Sequence, residues 1–403
     1  MSNKIAFKVV VLTLLIVAIG IKYDKIVTAT PSTIIVSPGS GAIQKAINAA
    51  NPGDIIKVIH GTYYENLIVN TSVSIIGENP ANTIIDGGGE GTVVNIIRPN
   101  VLVSGFTLQN GKQEVDYCGI SIGSNFVVVN NTLLRNNFDG LIFINSNNCR
   151  ILNNVIVNNT YAGVYIHAGN SSGNVFFQNT IESNNIGLLT FSPANTFYHN
   201  NFINNTHQYS PFSTEILDNG AEGNYWSDYE GSDTDRDGIG NSAFNWDNHP
   251  LMGIFTNFTI NYGTQKYAVS TICNSTISNF EFEESNGKIG FDVIGRNSTI
   301  GFCRIAMLLT LIQNKCIIRL DGNFPQSLRN WTISTYGYIY FLYNNTGVTR
   351  KVTIELETPE GGTPPSLLVP ALVAGTLVVV VLVSIILIRG SLRKENKSKF
   401  LKR

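Results

Sequence analysis

The part of the sequence with the most defined chemistry is the loop Asp233-Thr234-Asp235-Arg236-Asp237-Gly238-Ile239-Gly240-Asn241. Asp at the first, third and fifth positions brings three carboxylates around one point, and Gly at the sixth permits the sharp turn that calcium loops use. The backbone carbonyl of Ile239 can add a ligand. An EF-hand closes with a bidentate Glu at its twelfth position, where this chain has Phe244. Asn241 or Asp247 is therefore the candidate for the remaining ligand. Calcium is the expected cofactor, holding the end of one domain against the next; the alternative is a solvated acidic turn.

Other chemistries fit less well. Copper prefers His, Met and Cys gathered in space. The five histidines, His60, His167, His199, His207 and His249, are scattered, and Met252 and Met307 lie far from most of them. Copper is not expected. Polysaccharide lyases and hydrolases need paired carboxylates, or calcium with a basic residue. Asp116, Asp139 and Glu182 stand alone, and Arg135 and Arg150, expected on neighbouring coils, form an Arg pair without acid partners. Tyr63, Tyr64, Tyr161, Tyr165, Tyr198, Trp226 and Tyr229 offer stacking faces for sugars, or else pack corners. No catalytic residue is assigned. Gly-x-Ser-x-Gly, P-loop and dinucleotide fingerprints are absent.

An internal repeat positions these residues. Gly119, Gly140, Gly163 and Gly187 each open a short apolar run, at spacings of 21, 23 and 24 residues. Between them recur an apolar triplet with an Asn-containing pair (Asn130-Asn131, Asn153-Asn154, Gln178-Asn179, Asn200-Asn201) and a second Asn pair such as Asn136-Asn137 or Asn158-Asn159. Such a period denotes a solenoid. Short β-rich runs split by Asn and Gly predict a right-handed parallel β-helix, with coils stacked at about 4.8 Å. Asn tolerates the left-handed backbone of a corner and bonds to neighbouring coils. Ile142, Ile144, Val164 and Ile166 are expected to point inward. The segment from residue 55 to about 210 has room for six or seven coils. Residues 42–50 read as a short amphipathic helix capping the open end, with Ile43 and Ile47 on its apolar face.

The fold expected is all-β: a β-helix over residues 30–252 with an N-terminal helical cap, then a β-sandwich-like domain over 253–360. Strands in the second domain are expected at Phe255–Ile260, Tyr267–Ile272, Ile289–Ile294, Cys316–Leu320, Tyr336–Tyr343 and Val352–Leu356. Both ends carry membrane signals. Residues 1–29 read as a signal peptide, with Lys4 and Lys8 before an apolar run and Val27-Thr28-Ala29 as cleavage site. Residues 361–365 form a linker. Residues 366–388 are uncharged and long enough to cross a bilayer. Seven Lys/Arg follow in 389–403, a cytoplasmic tail that places the rest of the chain outside the cell.

The formal net charge of −1 conceals an acidic body. Removing the 11 basic and 2 acidic residues of the two ends from totals of 27 and 28 leaves 16 basic against 26 acidic. That balance disfavours nucleic acid as a partner. Ten Asn-x-Ser/Thr sequons, beginning at Asn70 and ending at Asn344, are potential glycan acceptors in that compartment. Of Cys118, Cys149, Cys273, Cys303 and Cys316, the last three allow one disulfide, whose pairing stays open.

Residues 33–111 resemble the opening of archaeal and bacterial β-helix proteins of the NosD type. The likeness lies in Ala42-Ile43-Gln44-Lys45-Ala46-Ile47-Asn48-Ala49-Ala50-Asn51-Pro52-Gly53-Asp54, Gly61-Thr62-Tyr63-Tyr64-Glu65-Asn66 and Ile84-Ile85-Asp86-Gly87-Gly88-Gly89. Residues 218–252 are similar to that family's closing segment, through Gly223-Asn224-Tyr225-Trp226-Ser227-Asp228-Tyr229 and His249-Pro250-Leu251-Met252. The resemblance implies the β-helix and an extracytoplasmic address. The family's named member helps deliver copper to nitrous oxide reductase, so copper handling follows as one alternative. The leading expectation is a membrane-anchored surface scaffold or adhesion module whose partners are surface glycans or envelope proteins. A carbohydrate-active enzyme is the other alternative.

Overall fold

Short strands separated by Asn and Gly corners cannot pair with their immediate neighbours in sequence, so they pair with their equivalents one coil away. The computed structural model describes residues 30–312 and 316–356 and shows that arrangement. Three parallel sheets of eight, seven and eight strands run the length of a solenoid of about eight turns. The predicted glycines form a column: Cys118 pairs with Asp139, Leu141 with Val164 and Val164 with Leu188, which sets Gly119, Gly140, Gly163 and Gly187 one above another. A side chain does not fit there. A Cβ on Gly140 would lie 2.5 Å from the Gly163 carbonyl oxygen and 2.5 Å from Ile156.

Inside the coils, aliphatic and aromatic side chains stack into one core from Val36 to Trp226. Phe176 and Phe197 lie face to face at 4.2 Å, and Phe202 on Trp226 at 4.3 Å. The expected inward set is half right. Val164 and Ile166 point in, but their partners are Leu141 and Phe143, whereas Ile142 and Ile144 face outward. All four residues of Leu141–Ile144 are apolar, so alternation gives no phase there.

The corners follow a two-residue rule. Asn136, Asn153, Asn158, Gln178, Ser183, His199 and Asn204 adopt left-handed backbone, with φ between 50° and 58°. The residue after each is a buried Asn, Asn137, Asn154, Asn159, Asn179, Asn184, Asn200 or Asn205. These form ladders. In one, Oδ1 of Asn179 accepts from the backbone N–H of Asn154 at 3.0 Å, while its Nδ2 donates to the Ile151 carbonyl at 2.8 Å and to Asn200 Oδ1 at 2.9 Å. Satisfying the buried backbone of each corner in this way avoids a cost of about 1–3 kcal/mol per orphaned group.

The cap helix spans Ala42–Ala49 and buries Ile43, Ala46 and Ile47. The Glu65 carboxylate accepts the N–H groups of Ile43 and Gln44 in its first turn. One strand precedes the residues expected to start the solenoid: Thr33–Val36 pairs with Ile55–Val58. At the other end, strand Tyr225–Trp226 extends it. These additions raise the number of turns above six or seven.

Residues 254–356 form two antiparallel sheets of five and four strands around a shared core. Besides the expected strands, Thr276–Glu283, Ile300–Leu308 and Ser327–Ile333 are present. Ile300–Leu308 is buried on both faces. Cys303, Ile305 and Met307 point into the sandwich core, while Phe302 faces the end of the solenoid with Tyr340, Phe255, Ile272, Ile239 and Leu251. No helix among the described residues is long and apolar enough to cross a membrane. The expected signal peptide (1–29), linker (361–365), spanning helix (366–388) and basic tail (389–403) lie outside the described residues.

Candidate functional site

The acidic loop is built by its own backbone. Asp233 accepts the N–H groups of Asp237 and Gly238 at 3.0 and 2.9 Å, and Asp237 accepts the Ile239 N–H at 2.8 Å. These bonds gather ligand atoms of Asp233, Asp235 and Asp237 within 4.8 Å of one another. Burial pushes the Asp237 carboxyl up, and the charges of Asp235 and Asp233 push the same way. Asn241 closes the loop, accepting from Thr234 and donating to Asp235 at 3.1 Å. Ile239 turns its side chain into the small core shared with the sandwich. Asp247 is elsewhere, buried beneath Trp226 Nε1 at 2.9 Å and the Asn224 N–H at 2.7 Å, at the foot of an Asn ladder.

The loop is also tied to the second domain. Arg304 donates to the Asp237 carbonyl at 3.2 Å, Arg236 to Ser327 Oγ at 3.1 Å, and Arg329 to the Asp235 carbonyl.

Beside it lies a cleft of about 390 Å³ between the last coils and the five-stranded sheet. Glu222 sits at its base, with His199 Nε2 at 2.7 Å and the buried Arg304 guanidinium at 2.9 Å. Burial alone would raise the Glu222 carboxyl; Arg304 and then His199 outweigh it and hold it down to about 2. The His199 ring stacks on Phe255 at 4.1 Å. Sequence reading paired none of these three residues, because corner, closing segment and sandwich strand meet only through packing.

The second sheet carries an outward aromatic patch. Tyr165 stands in a column between Ile142 and Leu189, both buried although they face outward. Tyr165 meets His167 at 5.3 Å and Phe191 at 6.0 Å, and Phe191 stacks on Phe212 at 4.4 Å. Phe212 is 67% exposed. Phe138 and Tyr161 stack at 5.3 Å at the start of the same strands. The other aromatic candidates divide. Tyr63 and Trp226 are core residues, Tyr64 is exposed, Tyr198 packs on Phe177, and Tyr229 bonds to the Ser242 carbonyl. Phe138, Phe191 and Phe212 were not candidates. The available signal was their offset: His167 and Phe191 stand four residues after Gly163 and Gly187, as Ile144 does after Gly140.

Of the acids isolated in the sequence, Asp139 comes within electrostatic reach of Asp116 on the preceding coil. Asp139 is buried and bonded to the Ala162 N–H. Arg135 and Arg150 belong to different sheets, and Arg135 bonds to Gln109. Among the described residues, Asp233, Asp235 and Asp237 are the one group of three or more His, Cys, Asp or Glu placed to share an ion.

Three parallel sheets stacked coil on coil, capped by a helix and closed by an antiparallel sandwich, define a parallel β-helix protein with an appended β domain. Residues 32–231, about half of the chain, match the family model described as "Periplasmic copper-binding protein (NosD)", and this part of the chain belongs to the NosD family. No curated protein sequence matches the chain significantly. Solved structures similar to it include a PL6-family polysaccharide lyase from Pseudopedobacter saltans, at 15% identity and TM-score 0.32, covering 47% of each chain. A PL6-family alginate lyase, AlyGC, matches at 13% identity and TM-score 0.27 over 48% of this chain and 38% of its own. The tailspike of E. coli bacteriophage HK620, solved with a pentasaccharide, matches at 14% identity and TM-score 0.23 over 81% of this chain and 60% of its own. The chain thus spans less than half the length of the two lyases.

The family description names copper, and the residues here do not fit it. Copper sites use converging imidazole, thiolate or thioether groups. His167 and His199 lie on different sheets, His199 Nε2 is held by Glu222, and Met307 is buried in the sandwich core. Among the described residues, the one converging set of three or more such groups is carboxylate oxygen, which suits a hard cation.

Proposed function

We propose that this chain is a non-enzymatic, extracytoplasmic β-helix scaffold that binds glycans along its second sheet. The observation that carries the reading is the patch of Phe138, Tyr161, Tyr165, Phe191 and Phe212, outward on successive coils. Sugar rings stack on aromatic side chains, and here Phe212 is exposed while Phe138, Tyr161, Tyr165 and Phe191 are half-buried beside it on the same sheet. A linear polymer matches a face that repeats coil by coil. The NosD family's periplasmic description supports the compartment, and residues 366–388 supply the anchor in this reading. A glycan array on the secreted ectodomain, with reducing-end assays on every ligand found, tests it. Tyr165→Ala with Phe191→Ala is expected to weaken binding at least tenfold without changing the melting temperature by more than a few degrees. Binding unaffected by that pair, or turnover of any glycan, overturns the reading.

Calcium at Asp233, Asp235 and Asp237, with the Ile239 carbonyl and Asn241, completes the proposal. A hard cation would offset the burial and the neighbouring charges that raise Asp237, and would stiffen a loop already bonded to the sandwich. Titration calorimetry with calcium is expected to give one binding event with a rise in melting temperature, and Asp235→Asn with Asp237→Asn to abolish both. No heat and no thermal shift in the wild-type protein would end the idea.

A further inference from the structure

Cys273 and Cys303 occupy directly opposed positions on neighbouring antiparallel strands, Gln265–Cys273 and Ile300–Leu308. The adjoining bond runs from the Asn274 N–H to the Phe302 carbonyl. That pattern makes Cys273 and Cys303 a non-hydrogen-bonded pair, the type whose Cα atoms approach to about 4.5 Å. A disulfide needs Cα atoms about 4.4–6.8 Å apart. Both side chains point to the same side of the sheet, into the sandwich core, and both are buried. Both are free thiols in this structure, and the Tyr343 hydroxyl lies 3.6 Å from Cys273 Sγ. The other cysteines have no such neighbour. Cys316 belongs to the four-stranded sheet, opposite Leu356, and Cys118 and Cys149 lie on different sheets of the solenoid.

We infer that Cys273 and Cys303 form the chain's one disulfide, an oxidative modification site inside the second domain, while Cys118, Cys149 and Cys316 stay thiols. The inference stands on strand register and does not depend on glycan or calcium binding. The chemistry is thiol–disulfide exchange with a small disulfide oxidant. One thiolate attacks the oxidant's S–S bond and releases a thiol; the second thiolate then attacks the mixed disulfide and releases another. Two protons and two electrons leave the cysteine pair, and one S–S bond in the oxidant is exchanged for one in the protein. The bond has a structural purpose. Between Cys273 and Cys303 the chain leaves the five-stranded sheet, forms Thr276–Glu283 and Lys288–Ile294 of the other sheet, and returns. A cross-link at both feet of that excursion restricts the unfolded chain. Because the pair is sealed in the core, exchange happens before the sheets close, and the finished bond resists reductant in the native state.

The test is full-chain protein folded in a glutathione redox buffer, denatured, alkylated with and without prior reduction, and mapped by peptide mass. A Cys273–Cys303 linked peptide with Cys118, Cys149 and Cys316 alkylated is expected. Native protein treated with dithiothreitol should keep the link until denaturant is added. The oxidised wild type should melt several degrees above Cys303→Ser. Alkylation of all five cysteines after oxidative folding, or a linked peptide containing Cys316, Cys118 or Cys149, overturns the inference whether or not the serine variant folds.

Discussion

A carboxylate sealed without a cation is costly, and Asp139 is the clearest case. It is 1% exposed, and its one bond is accepted from the Ala162 N–H at 2.9 Å. Burial pushes its carboxyl up to about 7, against that amide and with help from the charge of Asp116. Burial likewise pushes Asp247 up to about 6 despite its bonds from Trp226, Asn224 and His249. In the unfolded chain both lose their protons near pH 4. Between about pH 4 and pH 7 the native state therefore holds more protons than the unfolded state, so stability falls as pH rises through that window. This is opposite in sign to acid denaturation of paired carboxylates. Asp139→Asn keeps an oxygen for Ala162 and removes the charge. It is expected to match the wild type near pH 4 and to exceed it at pH 8 by on the order of 3 kcal/mol. Urea denaturation at the two pH values reads the difference directly; a pH-independent effect would show that Asp139 does not titrate with folding.

At the scale of elements, what was legible in the sequence is what repeats. Each coil reuses Gly, a β run and an Asn corner, and the Gly column and Asn ladders place those signals where the spacing puts them. The cap helix was legible from Ile43 and Ile47, which are wholly buried. Signals failed where an element has two buried faces or none. Ile300–Leu308 is covered on both sides, so it lacks alternation, whereas Ser327–Ile333 is an edge strand with little burial. Strand Thr33–Val36 was hidden because it stands alone before the helix. The same logic divides the sites. The acidic loop is local in sequence and was readable, since Asp233, Asp235 and Asp237 need only one turn to converge. The aromatic patch requires knowing which coil lies above which, so only Tyr161 and Tyr165 of its members were picked out.

At the scale of the whole molecule, the join between solenoid and sandwich is a second small core with a charged edge. Ile239, Leu251, Phe255, Ile272, Phe302 and Tyr340 pack across it, and Arg304 reaches from the sandwich to Glu222 and to the Asp237 carbonyl. Removing one member of a buried pair strands the other charge, at a cost of about 3–5 kcal/mol. Arg304→Met keeps most of the side chain's bulk and removes its charge, leaving Glu222 with His199 alone. The variant is expected to unfold in two calorimetric steps, sandwich and solenoid separately, where the wild type unfolds in one. Glu222→Gln in the same chain should restore part of the loss, because it neutralises the stranded carboxylate; a coupling of at least about 1 kcal/mol between the two substitutions is expected for groups in direct contact. A single unchanged transition in Arg304→Met would mean that the apolar contacts alone unite the two domains. Additive effects would mean that Arg304 and Glu222 meet without holding anything together. Coupled effects would make this pair the link through which a cation in the acidic loop, one hydrogen bond away at Asp237, stiffens both domains at once.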